Sequence, residues 1–115
     1  MNQEKNEYTL AYLQEHVKQA EIRKGHIGDS VVTKCFLLME EVGEMCKAIR
    51  ILIGMKIHSK TAKHNLEDEL GDVLFLIIAI ANRSGIKLDQ ALLNKIQKDE
   101  AKVYASAGEK ERDEI

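Results

Sequence analysis

Two pairs of acidic residues are spaced to share helix faces beside apolar segments. Glu41 and Glu44 follow an apolar run, and Glu69 and Asp72 precede the apolar segment Val73–Ala81. Residues three or four apart lie on the same face of an α-helix, so each pair points in one direction. Ionised carboxylates beside a core repel one another unless a cation or a proton compensates their charge. The spacing therefore predicts a divalent metal site built by acids from two helices.

The chemistry of these side chains favours a hard cation. An antiparallel pairing of the two helices would bring the acid pairs face to face, as in the metal sites of helix bundles. An all-carboxylate ligand set suits Mg²⁺ or Mn²⁺. Zinc is disfavoured, because no histidine lies within a turn of the acids on the same face. A ferritin-like di-iron site is also disfavoured, since its paired Glu-x-x-His motifs do not occur here.

Composition narrows the class of protein. The chain has 115 residues and a formal net charge of -2, so we expect one domain without the basic surface of a nucleic-acid-binding protein. The N-terminal stretch is polar, and no apolar run approaches the roughly 20 residues that span a membrane. We expect a cytoplasmic protein with no nucleic acid or membrane partner. The domain is expected over residues 1–108, followed by a charged, disordered tail over 109–115.

The elements that must position the acids are all predicted to be helices. The chain contains no proline, and its apolar residues recur mostly at helical spacing. The first predicted helix is about Thr9–Lys24. The second begins at a cap formed by Asp29 or Ser30 and ends near Ile53. The third is about Thr61–Ser84, with Ser59 as its cap, and the fourth is about Leu88–Tyr104. Met55–Lys60 is the predicted loop between the second and third helices.

The third predicted helix indicates an oligomer. Val73–Ala81 is apolar on every side, and a small four-helix unit has difficulty covering one helix completely. We therefore expect at least a dimer in which these helices pack centrally. Burial within one chain, against the first and fourth helices, is the alternative.

Both acid motifs resemble those of a known family. Glu40-Glu41-Val42-Gly43-Glu44 and Glu69-Leu70-Gly71-Asp72 are similar to the EExxE and ExxD motifs of the MazG-like nucleotide pyrophosphohydrolases, in the all-α NTP pyrophosphatase superfamily. Similarity extends over about residues 30–105 and includes Ala81–Ile86. The resemblance implies an all-α, four-helix MazG-like bundle that assembles as a dimer or a dimer of dimers.

The resemblance also implies an activity and a set of metal ligands. Such an enzyme hydrolyses (d)NTPs to the monophosphate and pyrophosphate with Mg²⁺, with Mn²⁺ as a possible substitute, and removes unwanted nucleotides from the pool. The implied metal ligands are Glu41, Glu44, Glu69 and Asp72. Glu41 or Glu44 is also the candidate that accepts the proton of the attacking water. Glu40 is offset by about 100° from Glu41, which leaves its role open.

Basic residues are expected to bind the phosphates. Lys34 lies two turns before Glu41 on nearly the same face, and Arg83 returns to the face of Asp72. On the fourth helix, relatives carry basic, polar and aromatic residues near the nucleotide. The corresponding candidates here are Lys95, Lys98, Lys102 and Tyr104. Relatives often have Asn, Arg and an aromatic-Pro pair at this end, so the pattern here leaves the preferred base and sugar open.

Other functions remain as alternatives. Within the superfamily, they are a dUTP/dCTP-type enzyme and a phosphoribosyl-ATP pyrophosphohydrolase. From another class, the chain could be a non-catalytic helical interaction module whose acids form a structural cation site. Pyrophosphate release distinguishes these classes. The number of metal ions, the choice between dimer and tetramer, and the biological pathway are also left open by the sequence.

Overall fold

The computed structural model describes residues 7–54 and 65–113 and is helical with no strand over those ranges. Its helices are α1 (Leu10–Lys24), α2 (Val31–Leu52), α3 (Leu66–Arg83) and α4 (Leu88–Asp113). For the described residues, the prediction of an all-α fold with four helices is confirmed.

Local capping signals set the first helix boundaries. Thr9 caps α1, because its hydroxyl accepts a hydrogen bond from the Tyr12 N–H at 3.1 Å. Gly25 ends α1 in the left-handed conformation, with φ 76°. Ser30 rather than Asp29 caps α2, with its hydroxyl 3.1 Å from the Thr33 N–H. The predicted ends of α1 and α2 therefore agree with the structure to within one or two residues.

The start of α3 differs from the prediction. Asn65 is the cap, and its side-chain oxygen accepts from the Glu67 N–H at 2.8 Å, so the helix begins at Leu66 rather than near Thr61. Asparagine is as good a helix cap as serine, and here its side chain satisfies an otherwise unpaired N–H of the first turn. The predicted cap Ser59, the loop Met55–Lys60 and residues 61–64 lie outside the described residues.

Helix α4 is longer than the sequence indicates. It continues to Asp113 rather than ending near Tyr104, and it passes through Gly108 without a break. One glycine inside a helix costs only about 1 kcal/mol, and the Glu, Lys and Arg residues that follow are good helix formers. The division into a domain over 1–108 and a tail over 109–115 stays a prediction.

Helix α3 lies between α2 and α1. Its most extensive packing is with α2, whereas α1 covers another side of α3 and also meets α4. Val17 of α1 packs with Ile78 and Ala79 of α3 in the buried core. Gln14 and Asn82 fix this packing through a side-chain hydrogen bond of 3.1 Å and a bond of 2.9 Å from Asn82 Nδ2 to the Gln14 carbonyl. The acids of α2 and α3 are thus held on the two most closely packed helices.

The single chain leaves much apolar surface exposed. On α2, Val32, Phe36 and Met39 are 62%, 63% and 65% exposed. On α3, Ile78 and Ala79 are buried, but Leu74 remains 47% exposed. The radius of gyration is 19.2 Å, well above the roughly 13 Å of a compact domain of this length. Within the described ranges, no helix combines the length and apolarity needed to cross a membrane.

Candidate metal centre

Three of the predicted acids converge between α2 and α3. Glu41, Glu69 and Asp72 each offer a carboxylate oxygen, and these oxygens all lie within 4.8 Å of one another. Glu69 is buried, Glu41 is half-buried and Asp72 is exposed, so the group opens to solvent on one side. We call these three residues the acid cluster. Glu69 and Asp72 lie one turn apart on the same face of α3, and the packing of α3 against α2 brings Glu41 to them.

The first turn of α3 contributes to the local electrostatics. Glu67, Asp68 and Glu69 all lie in this turn, where the unpaired N–H groups of the helix favour negative charge. The helix end therefore offsets part of the cost of burying Glu69. Asp72 follows one turn later on the same face and extends the negative surface towards solvent.

Glu44 and Glu40 lie outside the acid cluster. Glu44 is one turn beyond Glu41, and its Oε1 atom lies 3.4 Å from Lys47 Nζ. Its negative charge still contributes to the raised pKa of Glu41, which places it close to the cluster. Glu40 is exposed on α2. The structure thus brings together three of the four predicted metal ligands, and the assignment of Glu44 as a ligand stays a prediction.

The acids of the cluster repel one another, and this repulsion shows in the pKa of Glu41. Burial raises the pKa of Glu41 above its usual value of 4.5, and the charges of Asp72 and Glu69 raise it further. A side-chain hydrogen bond with Glu69 acts in the same direction, since it is best made when Glu41 holds a proton. A divalent cation would remove the same repulsion without a proton. The donor set contains oxygen only, so it fits Mg²⁺ or Mn²⁺.

A second group of charged residues joins α1, α2 and α3. Glu21 of α1 is 1% exposed, and its two carboxylate oxygens accept from Arg83 Nη1 at 2.7 Å and Nη2 at 2.8 Å. Lys34 Nζ lies 3.0 Å from the same carboxylate and 3.3 Å from Asp29. Arg83 also donates to the carbonyl oxygens of Asp29 and Ala79. We call Glu21, Asp29, Lys34 and Arg83 the buried ion group.

This arrangement bears on two predicted phosphate contacts. Lys34 and Arg83 lie close together, but both pair with the carboxylate of Glu21 and not with the acid cluster. Their side chains are only 5% and 10% exposed, so neither cation faces solvent where a phosphate would arrive. Their role as substrate contacts stays a prediction that this geometry does not favour. Glu21 was missed by the sequence analysis, although it lies four residues after Val17 on the buried face of α1.

The predicted substrate residues of α4 lie apart from the acid cluster in the single chain. Helix α4 packs against α1, and its described side chains do not line the cleft that contains Glu41 and Asp72. Lys95 Nζ is instead 3.1 Å from Asp99, in an exposed pair on α4 itself. The other candidates, Lys98, Lys102 and Tyr104, are exposed. Their contact with a substrate stays a prediction.

A cleft adjoins the acid cluster, and four of its six lining residues were not among the predicted site residues. Its volume is about 270 Å³, and it is lined by Lys24, Leu37, Glu41, Asp72, Phe75 and Leu76. Lys24, the last residue of α1, places its Nζ 5.4 Å from the centre of the Phe75 ring. We call this the acid cleft. Only the fold reveals Lys24 here, because nothing in the sequence relates the end of α1 to α3.

The family comparison agrees with the motifs. The model of one family, described as the MazG nucleotide pyrophosphohydrolase domain, matches residues 30–103. That range begins at the cap of α2, includes the acid cluster and both motifs, and extends along most of α4.

Two individual proteins are similar to this chain. A protein of Bacillus subtilis (strain 168), named uncharacterized protein YpjD, is 36% identical over 55 residues, which are 47% of this chain and 50% of that protein. The chain thus matches about half the length of this curated relative. The crystal structure of iMazG from Vibrio DAT 722 has a TM-score of 0.60 and 28% identity, covering 82% of this chain and 96% of that one.

Proposed function

Because the chain belongs to the MazG nucleotide pyrophosphohydrolase family, we propose that it hydrolyses (d)NTPs to (d)NMP and pyrophosphate and thereby removes unwanted nucleotides. The observation that carries this proposal is the convergence of Glu41, Glu69 and Asp72 within 4.8 Å. Three carboxylates on two packed helices supply the oxygen ligands that a metal-assisted attack on a phosphate requires.

We propose Mg²⁺ as the cation, held by the acid cluster, with Mn²⁺ as a substitute. A bound Mg²⁺ supplies charge neutralisation at the phosphoryl group and a more acidic attacking water. The helices hold the three carboxylates in place before substrate arrives, because α2 and α3 form the most extensive packing of the chain. Glu44 is the carboxylate we assign to accept the proton of the water, since it lies beside the cluster without belonging to it.

Mg²⁺ is expected to stabilise the protein against heat. The raised pKa of Glu41 means that its ionised form opposes folding above about its usual pKa of 4.5, and a cation bound to the cluster relieves this cost. At a Mg²⁺ concentration of 100 times Kd, the gain is about 2.7 kcal/mol, or a Tm increase on the order of 10 °C. Differential scanning fluorimetry at pH 7 with and without millimolar Mg²⁺ measures this increase.

The thermal shift has a matched control on α1. Glu15 is exposed and belongs to neither the acid cluster nor the acid cleft, so Glu15→Gln should retain the full response to Mg²⁺. Replacing all three cluster acids by their amides should abolish it. An unchanged Tm of the wild-type protein in Mg²⁺ contradicts the proposed metal site.

We further propose that the chain assembles as a homodimer or homotetramer through its exposed apolar surface. Val32, Phe36 and Met39 follow one another along α2 at helical spacing and are each more than 60% exposed. Exposed apolar surface of this kind marks an interface more often than free surface. Such an assembly would also allow the basic residues of α4 in one copy to approach the acid cleft of another copy.

A charge placed in this apolar strip is expected to dissociate the assembly. Phe36→Glu should give a species of one chain mass in size-exclusion chromatography with light scattering, because an interface core does not accommodate an unpaired carboxylate. Gln19→Glu adds the same charge on the exposed side of α1 and should leave the mass unchanged. A wild-type protein of one chain mass at micromolar concentration would contradict the assembly.

Pyrophosphate release tests the function directly. The wild-type protein is assayed with the eight common NTPs and dNTPs in the presence of Mg²⁺, and with phosphoribosyl-ATP. The preferred substrate then separates a general enzyme from a dUTP/dCTP-type or phosphoribosyl-ATP pyrophosphohydrolase. Absence of turnover with every compound would favour the non-catalytic helical module.

A further inference from the structure

The acid cleft combines three kinds of surface within one small volume. Glu41 and Asp72 form a carboxylate side, Leu37 and Leu76 an apolar side, and Lys24 extends over the ring of Phe75. A nucleotide offers the same three chemistries, because it has a metal-binding phosphate chain, an apolar base face and several negative charges. The volume of about 270 Å³ suits part of a nucleotide rather than a whole one.

Lys24 is placed to leave its present contact. It is exposed, at the last turn of α1, and its Nζ lies 5.4 Å from the Phe75 ring centre. A cation on an aromatic ring at an exposed site is held only weakly. Among the described residues, Lys24 is the basic side chain that lines the acid cleft. By contrast, Lys34 and Arg83 are fixed to Glu21 in the buried ion group.

A cation in the acid cleft would offset negative charge from both the protein and a bound nucleotide. The three carboxylates of the acid cluster, if all ionised, exceed the charge of one Mg²⁺, and a triphosphate adds further negative charge. Lysine is a suitable partner for phosphate because its ammonium group is a compact charge on a long, flexible stem. Movement of the Lys24 ammonium towards the phosphates would uncover one face of the half-buried Phe75 ring. An aromatic ring at such a position binds a base by stacking.

We propose that Lys24 and Phe75 form a nucleotide subsite. When a nucleotide binds, the Lys24 ammonium leaves the Phe75 ring and contacts the phosphate chain, and the ring stacks on the base. This inference rests on the proposed function and adds two substrate-binding residues to it. It assigns the two halves of the substrate to different side chains. Lys24 recognises the phosphates of any nucleotide, whereas Phe75 recognises only molecules that carry a base.

A probe without a base separates the two assignments. Inorganic tripolyphosphate is used with Mg²⁺ as a competitive inhibitor, beside the nucleotide that the wild-type protein hydrolyses fastest. Lys24→Ala should raise both the KM of the nucleotide and the Ki of tripolyphosphate by about tenfold, the scale of one charge-assisted contact. Phe75→Leu should raise the KM by about tenfold and leave the Ki unchanged, since one stacking contact is lost.

Conservative variants and a neighbouring charge serve as controls. Lys24→Arg and Phe75→Tyr retain a cation and a ring and should restore most of the affinity. Arg23→Ala removes the same charge from the adjacent exposed position and should change neither constant. The Mg²⁺-induced increase in Tm should persist in all variants, which shows that the acid cluster is intact. Phe75→Tyr and both Lys24 variants remain informative if Phe75→Leu does not fold.

The outcomes distinguish this inference from the function on which it rests. If the wild-type protein turns over nucleotide but Lys24→Ala leaves KM and Ki unchanged, the proposed phosphate contact of Lys24 is wrong, whereas the proposed function is unaffected. An equal increase of KM and Ki in Phe75→Leu overturns the stacking role. Absence of turnover by the wild-type protein with every nucleotide overturns the proposed function and this subsite together.

Discussion

Glu41→Gln is expected to reduce kcat/KM for nucleotide hydrolysis by at least about 100-fold, equivalent to roughly 2.7 kcal/mol of transition-state stabilisation. Glu41 lies in the acid cluster with Glu69 and Asp72, so the substitution replaces a charged carboxylate of the proposed metal site by a neutral amide. Asp72→Asn should have a similar effect for the same reason. Pyrophosphate release at saturating Mg²⁺, with the best substrate of the nucleotide screen, measures both variants.

The same Glu41→Gln substitution should make the metal-free protein more stable. The pKa of Glu41 is raised by burial and by its acidic neighbours, so ionised Glu41 opposes folding at pH values above about 4.5. At pH 7 without Mg²⁺, the variant should therefore have the higher Tm. The difference should shrink as the pH falls through the raised pKa of folded Glu41 and disappear below about 4.5, where Glu41 carries a proton in both the folded and unfolded protein. Activity and metal-free stability thus change in opposite directions.

Two controls make this result specific to the acid cluster. Glu15→Gln makes the same chemical change on the exposed side of α1 and should preserve both kcat/KM and Tm. A circular-dichroism spectrum confirms that Glu41→Gln retains the helices. Wild-type kcat/KM in both Glu41→Gln and Asp72→Asn would exclude a catalytic role for the acid cluster.

The acid cluster could be predicted because it depends mainly on the spacing of acidic residues along two helices that are consecutive in the sequence. Helix phase places Glu69 with Asp72, and the packing of α2 against α3 brings Glu41 to them. Capping chemistry, which is also local in the sequence, located α1 and α2 through Gly25 and Ser30. The start of α3 was misplaced because Ser59 and Asn65 are both capable caps, and local preference does not choose between them.

The sequence could not place the basic residues, because their partners come from a third helix. Phase puts Lys34 on the face of Glu41, but it does not reveal that α1 brings Glu21 to the same place. The buried Glu21 carboxylate then attracts both Lys34 and Arg83. Packing of α1 likewise brings Lys24 to the acid cleft. Contacts between elements distant in sequence thus decided which cations remain available to a substrate.

Glu21→Gln is expected to lower the free energy of unfolding at pH 7 by about 3 kcal/mol, or a Tm decrease on the order of 10 °C. The Glu21 carboxylate is 1% exposed and binds Arg83 with both oxygens, so the neutral amide leaves Arg83 and Lys34 without their main counter-charge. Lys34→Met should cost less, because Arg83 still pairs with Glu21. Chemical denaturation at fixed protein concentration measures each difference.

The pH dependence of this loss tests its electrostatic origin. Burial alone would raise the pKa of Glu21, but hydrogen bonds and charge from Arg83 and Lys34 outweigh it and hold the pKa below its usual value of 4.5. A carboxyl group with a lowered folded pKa stabilises the protein above the unfolded pKa, and this contribution disappears as the pH falls through the folded value. The difference between wild type and Glu21→Gln should therefore be constant above about pH 5.5 and narrow below pH 4.5. A difference for Glu21→Gln that persists unchanged at pH 3 would assign the loss to packing rather than to charge.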